Sequence, residues 1–578
     1  MKVGNSSTKI FSNYTRFVLF ITSLFFFLNS PFDAVARDIP TQYGISTANP
    51  LASSAGLEIL RAGGSAIDAA IAAQSVLTLV EPQSSGIGGG AFMLHFNKRD
   101  KKIEAYDGRE TAPSSIKSNI FLDSDGKPRK FRDVSTGGIA VGVPGLLKML
   151  EIAHRDHGRL PWAQLFVTAI GLSETGFKVS RRLHQMLAKT PDLKTFPDTR
   201  AYFFNENGIP LPVGHLLQNR PLAAVLKRVA KDGTGAFYNG GTAQNIVAAT
   251  RNASQNPGLI TLLDMQKYKV KKREVLCRAY RKWNVCGMPP PTSGGITLLQ
   301  ILGILQNFSL PKLNPGSIEA IHLISEASRL AYADRKKFIG DPDFVAVPVE
   351  KLLDRNYLKS RAKQISLSRS MGIAKPGTLK TPNRTSFSPR NTKEFSSTTH
   401  LSIIDRYGNA VAMTSSIERA FGSRLMVDGF ILNNQLTDFA FMPAHEGETV
   451  ANSVAPNKRP RSSMAPTMVF DHLGNLRITI GSPGGSRIIG YVAQTLIGIL
   501  DWDLDMQAAI DLPRHVNRNS ATELEKGTSL ERLIPALKLM GHKARTRALT
   551  SGLHGIRVSK KGLDGGADRR REGIFLGD

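Results

Sequence analysis

Apolar and polar side chains alternate through residues 397–405, which read Ser-Thr-Thr-His-Leu-Ser-Ile-Ile-Asp. Successive side chains of a β-strand point to opposite faces, so this pattern predicts a strand. Its two faces would carry Thr399, Leu401 and Ile403 on one side, and His400, Ser402 and Ile404 on the other. The Asp-Arg-Tyr-Gly-Asn sequence that follows is typical of a hairpin turn into a second strand over 410–414. Thr398 would then lie at the exposed beginning of this hairpin.

A helical period replaces the alternation nearer the amino terminus. Apolar side chains recur at helical spacing from Leu51 onwards until a Gly-Gly pair ends the helix. Ser65 with Asp68 three residues later forms a capping box, which predicts a second helix over 66–79. A glycine-rich stretch then leads into an apolar strand over 91–96. Helices followed by a glycine-marked strand suit a layered α/β sandwich.

Further helices are predicted over 146–153, 296–305 and 487–500, and residues 160–275 are predicted to be mainly helical. The composition changes from about residue 364 to 397, where Ser, Thr, Pro, Lys and Arg dominate and no apolar period survives. This composition predicts a mobile segment just upstream of the alternating strand.

Residues 1–36 have the pattern of a secretory signal peptide. Three basic residues precede an apolar stretch over 17–28 that is too short to span a membrane, and Ala34-Val-Ala36 is a small-x-small cleavage site. An uncleaved anchor is the alternative interpretation. No later stretch is apolar enough to cross a bilayer. The sequence therefore predicts an exported protein, periplasmic or secreted from a bacterium, without a stable membrane span.

The charge balance is strongly basic, because 75 Lys and Arg face 47 Asp and Glu, giving a formal +28. Removal of the signal peptide takes away three basic residues and one acid, leaving +26 on the mature chain. The basic residues are scattered, and no nucleic-acid-binding motif accompanies them. A solvated basic surface that attracts small anions is favoured over a nucleic-acid partner.

The chain has two cysteines, Cys277 and Cys286, within an alternating stretch that could form a hairpin. An oxidising compartment would permit a disulfide between neighbouring strands, and two free buried thiols are the alternative. Neither a Cys-x-x-Cys nor a His-Glu-x-x-His pattern is present, which disfavours a metal site. The Gly86–Gly90 stretch lacks the Lys-Ser/Thr of a phosphate-binding loop, so no cofactor is expected.

Longer runs of sequence occur in a fixed order along nearly all of residues 40–578. They include Gly63-Gly-Ser-Ala-Ile-Asp-Ala-Ala70, Met288-Pro-Pro-Pro-Thr-Ser-Gly-Gly295, Thr398-Thr-His-Leu-Ser-Ile-Ile-Asp405, Asn433-Asn-Gln-Leu-Thr-Asp438, Lys458-Arg-Pro-Arg-Ser-Ser-Met-Ala-Pro466 and Gly481-Ser-Pro-Gly-Gly-Ser486. These motifs resemble those of gamma-glutamyltranspeptidases, a family of N-terminal-nucleophile hydrolases. The resemblance implies an α+β fold, a four-layer αββα sandwich built jointly by two subunits from one precursor.

In that family the precursor cuts itself before a Thr that matches Thr398. The resemblance therefore implies a large subunit of residues 37–397 and a small catalytic subunit of residues 398–578, which would contain 181 residues. The two would remain paired as a heterodimer after self-cleavage.

Self-cleavage has a physical rationale, since the sequence places no partner His to activate the Thr398 hydroxyl. Cleavage at Ser397–Thr398 would free an α-amine on the same residue. Such an amine has a pKa of about 8, so an appreciable unprotonated fraction can accept the hydroxyl proton at neutral pH. One hydroxyl would thus serve first in maturation and then in turnover.

The resemblance also assigns substrate-binding residues. Arg109, in the Asp-Gly-Arg-Glu-Thr run, matches an Arg that holds the substrate α-carboxylate, which suits a bidentate guanidinium. Ser462 and Ser463 match two residues whose hydroxyls help to bind this carboxylate. Gln435 and Asp438 match the amide and acid that bind the α-ammonium.

The remaining matches concern the reacting centre. Gly484 and Gly485 would offer backbone N–H groups that stabilise the oxyanion of a tetrahedral intermediate, at the start of a helix. Ser416 aligns with a Thr whose hydroxyl contacts the nucleophile. Glu418 departs from the family, which more often has an Asn there, and its carboxylate could hold an ammonium or shift substrate choice.

A second departure lies between Asp438 and Ser462, where the link is short and contains no Tyr. This predicts an absent or reduced lid, and with it a more open site and an altered balance of hydrolysis and transfer.

The resemblance predicts a self-processing transpeptidase that acts on glutathione and other γ-glutamyl compounds. The acyl group would pass from Thr398 to water or to an amino-acid or dipeptide acceptor, without a cofactor or metal. Two alternatives remain open: a glutaryl-cephalosporin-type amidase of the same fold, and a non-catalytic relative that binds γ-glutamyl peptides.

Overall fold

A computed structural model describes Met1 and residues 41–379, 397–445 and 447–578. Residues 41–578 belong to one compact unit. Apart from Met1, the predicted signal peptide lies outside the described residues, as does the 380–396 portion of the segment predicted to be mobile.

The described residues form strands and helices, numbered here in chain order. The strands are β1 Gly44–Thr47, β2 Gly90–Asn97, β3 Lys102–Gly108, β4 Phe177–Lys178, β5 Leu216–Leu217, β6 Lys271–Arg273, β7 Leu276–Tyr280, β8 Trp283–Gly287, β9 Thr399–Ile404, β10 Ala410–Ser416, β11 Met426–Val427, β12 Phe430–Ile431, β13 Ala444–His445, β14 Glu448–Thr449, β15 Thr467–Phe470, β16 Leu476–Gly481, β17 His515–Asn517, β18 Thr522–Glu525, β19 Ala544–Arg547, β20 His554–Ser559, β21 Gly562–Ala567 and β22 Ile574–Gly577. The α-helices are α1 Pro50–Arg61, α2 Ala66–Val80, α3 Phe131–Val134, α4 Leu146–His157, α5 Val167–Thr175, α6 Arg181–Ala188, α7 Pro197–Phe203, α8 Arg220–Asp232, α9 Gly235–Tyr238, α10 Gly241–Arg251, α11 Leu262–Lys267, α12 Gly294–Leu305, α13 Ile318–Phe338, α14 Val349–Leu352, α15 Arg355–Ala362, α16 Ile488–Leu500, α17 Met506–Asp511 and α18 Ile534–Leu539.

The first sheet has seven strands in the order β22-β1-β9-β10-β2-β3-β6, and every neighbouring pair is antiparallel. The predicted hairpin is confirmed, since β9 pairs with β10 along its whole length. Both strands of this hairpin lie after Thr398, yet they are inserted between β1 and β2, which precede it. Cleavage before Thr398 would therefore cut the chain without dividing the sheet.

The second sheet has six antiparallel strands in the order β21-β20-β16-β15-β8-β7. Strands β7 and β8 come from the part of the chain before Thr398, and the other four come from the part after it. Backbone hydrogen bonds thus join the two parts in both sheets, so cleavage before Thr398 would leave them paired.

Side-chain alternation on the central hairpin separates two apolar layers. Leu401 and Ile403 pack into the core formed with α1 and α2, whereas Ile404 belongs to the core shared with the second sheet. This is the predicted division of faces. The second core continues through α12, α13 and α16 on the far side of the second sheet. The result is the α+β, four-layer αββα sandwich that the sequence predicted.

The predicted capping box forms at the start of α2. The Ser65 hydroxyl accepts from the Asp68 backbone N–H at 3.2 Å, and the Asp68 carboxylate accepts from the Ser65 N–H at 2.9 Å. Helix α13 is the longest of the described helices, with 21 residues, and it carries several charged side chains. Within the described ranges, none of the helices has the length and apolarity needed to cross a bilayer.

Residues 364–379, the described portion of the segment predicted to be mobile, pack against the folded unit. The Met371 N–H donates to Glu326 on α13 at 2.8 Å, and the Ala374 N–H donates to the Asn519 side chain at 2.8 Å. These contacts restrict the prediction of mobility to the part nearer Thr398.

The two cysteines lie opposite each other on β7 and β8 and form a disulfide. This resolves the alternative of free thiols in favour of the disulfide. The bridge closes a short loop, with a sequence separation of nine residues.

Replacing both cysteines by serine is expected to lower the free energy of unfolding by about 2–3 kcal/mol, because the bridge restricts the unfolded chain. Denaturant unfolding of wild type and the Cys277→Ser/Cys286→Ser variant measures this difference. A reducing agent should shift the wild-type midpoint and leave that of the variant unchanged. Identical midpoints for the oxidised wild type and the variant would contradict the prediction.

Candidate active site

Thr398 lies immediately before β9, and its hydroxyl is 3.0 Å from the Ser416 hydroxyl at the end of β10. The Ser416 hydroxyl also accepts from the Glu418 N–H at 2.9 Å. The expectation that Thr398 would be exposed is wrong, because the residue is only 4% exposed. The layers that meet at this end of the hairpin cover it in the uncut chain.

The backbone of Thr398 is strained, with a φ of 101°. A β-branched residue rarely adopts this region, and holding one there costs on the order of 1–3 kcal/mol. Two hydrogen bonds hold it: the Thr398 N–H donates to the Ser84 carbonyl at 3.2 Å, and Arg571 donates to the Thr398 carbonyl at 3.1 Å. The peptide bond predicted to be cut is therefore clamped next to a strained residue.

The carbonyl of Ser397 faces the glycine-rich turn after β16. Gly484 donates its N–H to this carbonyl oxygen at 3.4 Å. A short 3-10 turn over Gly485–Arg487 then leads into α16. The carbonyl that Thr398 would attack thus already points at the donor predicted to hold an oxyanion.

Gly484 has a φ of 138°, and an added Cβ would come within 2.7 Å of the Tyr491 ring. We expect Gly484→Ala to displace this N–H and to slow self-cleavage about 100- to 1000-fold, the usual cost of losing an oxyanion donor. The fraction of cut chain over time, read from denaturing gels, measures the effect. Gly171→Ala is the matched control, since a Cβ there meets nothing within 4 Å. Equal cleavage rates for the two variants would contradict this role.

His400, two residues from Thr398, does not act on its hydroxyl. The two ring nitrogens of His400 are engaged by Thr414 at 2.8 Å and by Ser402 at 3.1 Å. Burial holds the pKa of His400 well below its usual value, so the ring is neutral. The base expected to accept the Thr398 hydroxyl proton is therefore still the α-amine that cleavage would release.

A buried ion pair lies beside Thr398 in the same cleft. The Arg109 guanidinium, which is fully buried, donates to the Asp438 carboxylate at 2.6 Å. Gln435 donates to the same carboxylate oxygen at 2.8 Å. Arg109 also donates to the backbone carbonyls of Pro460 and Arg461 at 3.1 and 3.2 Å. Opposite charges held side by side suit a ligand that carries both an ammonium and a carboxylate.

Ser462 and Ser463 lie on the wall next to this ion pair. The Ser462 hydroxyl accepts from the Met464 N–H at 3.1 Å, and the Ser463 hydroxyl accepts from Arg335 at 2.6 Å. Arg335 comes from α13 and contributes a second guanidinium to the wall. Arg335 was not predicted to be a site residue, although it closes the sequence Ala331-Tyr-Ala-Asp-Arg335.

The cleft brings together every predicted site residue except Gly484, whose N–H contacts Ser397 instead. The residues that line it are Arg109, Thr398, Ser416, Glu418, Gln435, Asp438, Ser462, Ser463, Met464, Gly485 and Ile488. Its cavity volume in the uncut chain is about 20 Å³, room for little more than one water and far below the roughly 300–1,000 Å³ of ordinary small-molecule pockets. Cleavage and opening must therefore accompany the entry of a substrate.

The link between the acid and the paired serines is compact. It contains the small hairpin β13–β14 and turns back through Asn452, whose side chain donates to the Asp438 carbonyl at 2.7 Å. The described part of the link is thus tied to the cleft, and the reduced lid stays a prediction from the length of the link.

Glu110 was not singled out by the sequence, yet it lies fully buried next to Arg109. Its carboxylate is 3.5 Å from the Arg109 guanidinium. Burial raises the pKa of Glu110 to about 7, and the attraction of Arg109 offsets this only in part. Folding therefore favours the protonated carboxyl.

A raised carboxyl pKa makes stability fall as pH rises. The stabilising effect of the bound proton is complete below the ordinary pKa of 4.5 and is lost as pH rises through about 7. In the wild type, this carboxyl should lower the free energy of unfolding by up to about 3 kcal/mol between pH 4.5 and 8, and Glu110→Gln should abolish that fall. Denaturant unfolding at several pH values compares the two proteins. Parallel pH profiles would contradict the assignment.

Two groups of His and Glu in the described residues lie close enough to be considered as metal ligands. In the first, His95, Glu104 and His157, the two rings stack on each other and Glu104 is bonded to His157 at 2.6 Å. In the second, which contains Glu326, two histidines are hydrogen-bonded directly and Arg329 neutralises the carboxylate. Neither group includes a residue that lines the cleft.

The chain is similar to known proteins along most of its length. The family described as gamma-glutamyltranspeptidase matches residues 52–577. The chain is 36% identical over 570 residues to the glutathione hydrolase proenzyme of Bacillus subtilis (strain 168), covering 95% of each chain. The structure of cephalosporin acylase from Bacillus halodurans has a TM-score of 0.80 at 27% identity, covering 93% of this chain and 96% of that one. Helicobacter pylori gamma-glutamyltranspeptidase has a TM-score of 0.56 at 34% identity, covering 58% of this chain and 97% of that one. The chain belongs to the gamma-glutamyltranspeptidase family.

Proposed function

We propose that this protein is a self-processing γ-glutamyl acyltransferase and hydrolase that acts on glutathione and other γ-glutamyl compounds. One observation carries the proposal. The strained Thr398, whose preceding carbonyl accepts from the Gly484 N–H, lies in the same cleft as the buried Arg109–Asp438 pair. The Bacillus subtilis relative, named a glutathione hydrolase proenzyme, supports both the processing and the substrate.

In maturation, the Thr398 hydroxyl oxygen attacks the Ser397 carbonyl carbon and forms a tetrahedral intermediate. Ser416 is placed to relay the hydroxyl proton, and Gly484 stabilises the oxyanion. The C–N bond breaks, the nitrogen takes up the proton, and Ser397 is left as an ester on Thr398. Water then cleaves the ester and releases a Ser397 carboxylate and a Thr398 α-amine.

In turnover, the released α-amine accepts the proton of the Thr398 hydroxyl, directly or through a water. The oxygen attacks the γ-carbonyl of the donor, and the N–H groups of Gly484 and Gly485 stabilise the oxyanion. The proton passes to the leaving amine as the C–N bond breaks. Water, an amino acid or a dipeptide then attacks the γ-glutamyl ester and regenerates the free hydroxyl.

Separate polar groups of the cleft would bind the α-carboxylate and the α-ammonium of the glutamyl group. Arg109, with the Ser462 and Ser463 hydroxyls, binds the carboxylate. Asp438 and Gln435 bind the ammonium, and Glu418 supplies a second carboxylate that attracts it. The Arg109–Asp438 ion pair would separate, and each partner would bind the opposite charge on the ligand. Binding would therefore bury little net charge.

The protein would act outside the cytoplasm after removal of residues 1–36, in a bacterial periplasm or as a secreted enzyme. The Cys277–Cys286 disulfide supports an oxidising compartment. Residues 37–397 and 398–578 would stay together as large and small subunits, since each sheet contains strands from both.

A second candidate function is the hydrolysis of glutaryl amides, supported by the likeness to the cephalosporin acylase. A glutaryl donor lacks the α-ammonium, so it leaves Asp438 buried without its ligand. Hydrolysis of γ-glutamyl and glutaryl 4-nitroanilides by the processed protein separates the two functions. We expect kcat/KM to favour the γ-glutamyl donor by at least about 100-fold, the value of a buried charge-assisted pair.

Equal or faster hydrolysis of the glutaryl donor would assign the amidase function instead. If the processed protein hydrolyses neither donor, the result would favour the interpretation that it is a non-catalytic relative that only binds γ-glutamyl peptides. A fluorescent γ-glutamyl peptide measures that binding independently of turnover.

A further inference from the structure

Arg335, a buried residue of α13, hydrogen-bonds to two serine hydroxyls beside the cleft. Its Nη2 donates to the Ser463 hydroxyl at 2.6 Å, and its Nε donates to the Ser293 hydroxyl at 2.7 Å. The Ser293 hydroxyl in turn donates to the Ser462 carbonyl at 2.6 Å. Because Ser462 and Ser463 line the cleft, one guanidinium is bonded to its wall both directly and through Ser293.

The direction of these hydrogen bonds is fixed, because a guanidinium has donors and no acceptor. The Ser463 oxygen must therefore accept from Arg335, and its single proton points away from the guanidinium. The Ser462 oxygen also accepts, from the Met464 N–H at 3.1 Å. A ligand group that meets both hydroxyls through their protons must be an acceptor. A carboxylate is such a group, with no donor of its own.

The charge of Arg335 also strengthens the hydroxyl that accepts from it. Hydrogen bonds from ionised donors are stronger than neutral ones, and successive bonds in a buried chain polarise one another. Ser463 is only 4% exposed and Arg335 only 6%, so water screens this effect little. The Ser463 hydroxyl is therefore oriented and polarised as a donor before a ligand binds.

The backbone that carries the paired serines is held independently of Arg335. The Ser293 N–H donates to the Ser462 carbonyl at 2.8 Å. The two segments are so close that an added Cβ on Gly294 would lie 2.1 Å from the Met464 carbonyl oxygen. Loss of the guanidinium should therefore change the direction of the hydroxyl more than the position of the wall.

The same face of α13 makes a second contact near the site. Tyr332, three residues before Arg335, donates its hydroxyl to the carbonyl of Ser486, in the short turn that leads into α16. Helix α13 belongs to the part of the chain before Thr398, whereas Ser463 and Ser486 belong to the part after it. One turn of this helix thus holds two segments of the other part, one of which lines the cleft.

We propose that Arg335 is a positioning residue that directs the Ser463 hydroxyl at the α-carboxylate of the donor. This inference rests on the proposed function and adds to it the residue that orients one of the carboxylate contacts. Arg335 acts through Ser463 and does not itself touch the substrate. It thereby increases the preference for donors whose α-carboxylate is free over donors in which that group is an uncharged amide.

A pair of donors tests this role. We compare kcat/KM for γ-glutamyl 4-nitroanilide and for the same compound with its α-carboxylate converted to a carboxamide, and we call the ratio of the two values the carboxylate preference. Arg335→Met should lower this preference about tenfold or more, since an oriented hydrogen bond to a charged group is lost. A merely structural defect would lower both rates alike and leave the preference unchanged.

A double-substitution cycle tests whether Arg335 acts through Ser463. In a Ser463→Ala chain, the further change Arg335→Met should lower the carboxylate preference by less than about twofold, because the hydroxyl to be oriented is absent. A full tenfold fall in that background would contradict the proposed route. Arg335→Lys, which restores a charged donor, should retain most of the wild-type preference.

Lys337→Gln is the matched control on the same helix. It removes a positive charge two residues beyond Arg335, from a different face of α13, where the ammonium lies 5.5 Å from the centre of the Phe338 ring. This variant should keep the wild-type carboxylate preference. An equal fall in the Lys337→Gln and Arg335→Met variants would overturn the inference.

Ser293→Ala tests the same hydrogen bonds with a smaller change. It removes the second hydroxyl that anchors the guanidinium, so the carboxylate preference should fall about threefold, the value of a single modest hydrogen bond. If the Arg335→Met chain does not fold or is not cut, this variant decides the question. An unchanged preference in Ser293→Ala would then overturn the inference.

The outcomes separate this inference from the proposed function. A wild-type protein that does not hydrolyse γ-glutamyl 4-nitroanilide would overturn the proposed function. A wild-type protein that hydrolyses it with a clear carboxylate preference, together with an Arg335→Met variant of equal preference, would overturn only the role of Arg335.

Discussion

Thr398→Ala is expected to leave the chain uncut and to lower γ-glutamyl hydrolysis by at least about 10⁴-fold, as for other enzymes that lose their nucleophile. The change removes the hydroxyl that we propose to serve in both steps, and it leaves Ser416 and Gly484 without a reacting oxygen. Denaturing gels report the cut, and release of 4-nitroaniline reports turnover.

Thr398→Ser supplies the control, because it keeps the hydroxyl and removes one methyl group. This variant should still be cut and should retain measurable activity, although the freer side chain will slow both steps. Normal cutting of the Thr398→Ala chain would show that another group performs the cleavage, and normal activity would show that another group attacks the donor.

Arg109→Gln has the second large expected effect. We expect kcat/KM for γ-glutamyl 4-nitroanilide to fall about 100- to 1000-fold, because a buried charge-assisted contact to the substrate carboxylate is lost. Stability should also fall, by about 3–5 kcal/mol, since Asp438 is left as a buried charge without its partner. Steady-state kinetics and denaturant unfolding measure the two effects separately.

A double substitution distinguishes binding from folding. Arg109→Gln with Asp438→Asn removes both charges, so much of the lost stability should return while the activity stays low. If the double variant recovered both stability and activity, Arg109 would act only by stabilising the fold. Near-normal activity of the single variant would contradict the assignment of Arg109 to the substrate carboxylate.

Local features of the fold could be predicted from the sequence because they depend on near neighbours. The strand over 399–404 and its hairpin follow from side-chain alternation and turn composition, and the start of α2 follows from Ser65 and Asp68. The cleft was predicted in another way. Arg109, Asp438 and Ser462 were assigned through motifs that resemble those of a known family, and the fold then brought them together.

Contacts between distant parts of the chain could not be predicted. Arg571 holds the Thr398 carbonyl from 173 residues away, and nothing in its surroundings marks it for that role. Arg335 reaches Ser463 from α13 across 128 residues. Glu110 differs, since it follows Arg109 directly, but its raised pKa depends on burial that only the folded chain reveals.

The order of strands in the sheets was also beyond the sequence. Alternation indicates that a strand has two chemically different faces, but it does not specify which strand lies beside it. The insertion of β9 and β10 between β1 and β2 places Thr398 inside the fold, where Ser84, Ser416 and Arg571 contact it, so the expectation of an exposed residue failed. The same insertion ties the two predicted subunits together.

Amino-terminal sequencing of the purified, active protein, combined with its intact mass, tests most directly whether Thr398 becomes a chain end. The account predicts two fragments, the smaller beginning at Thr398 with 181 residues, and γ-glutamyl hydrolysis that rises in step with their appearance. A chain that stays continuous across Ser397–Thr398 while hydrolysing γ-glutamyl anilides at full rate would contradict it.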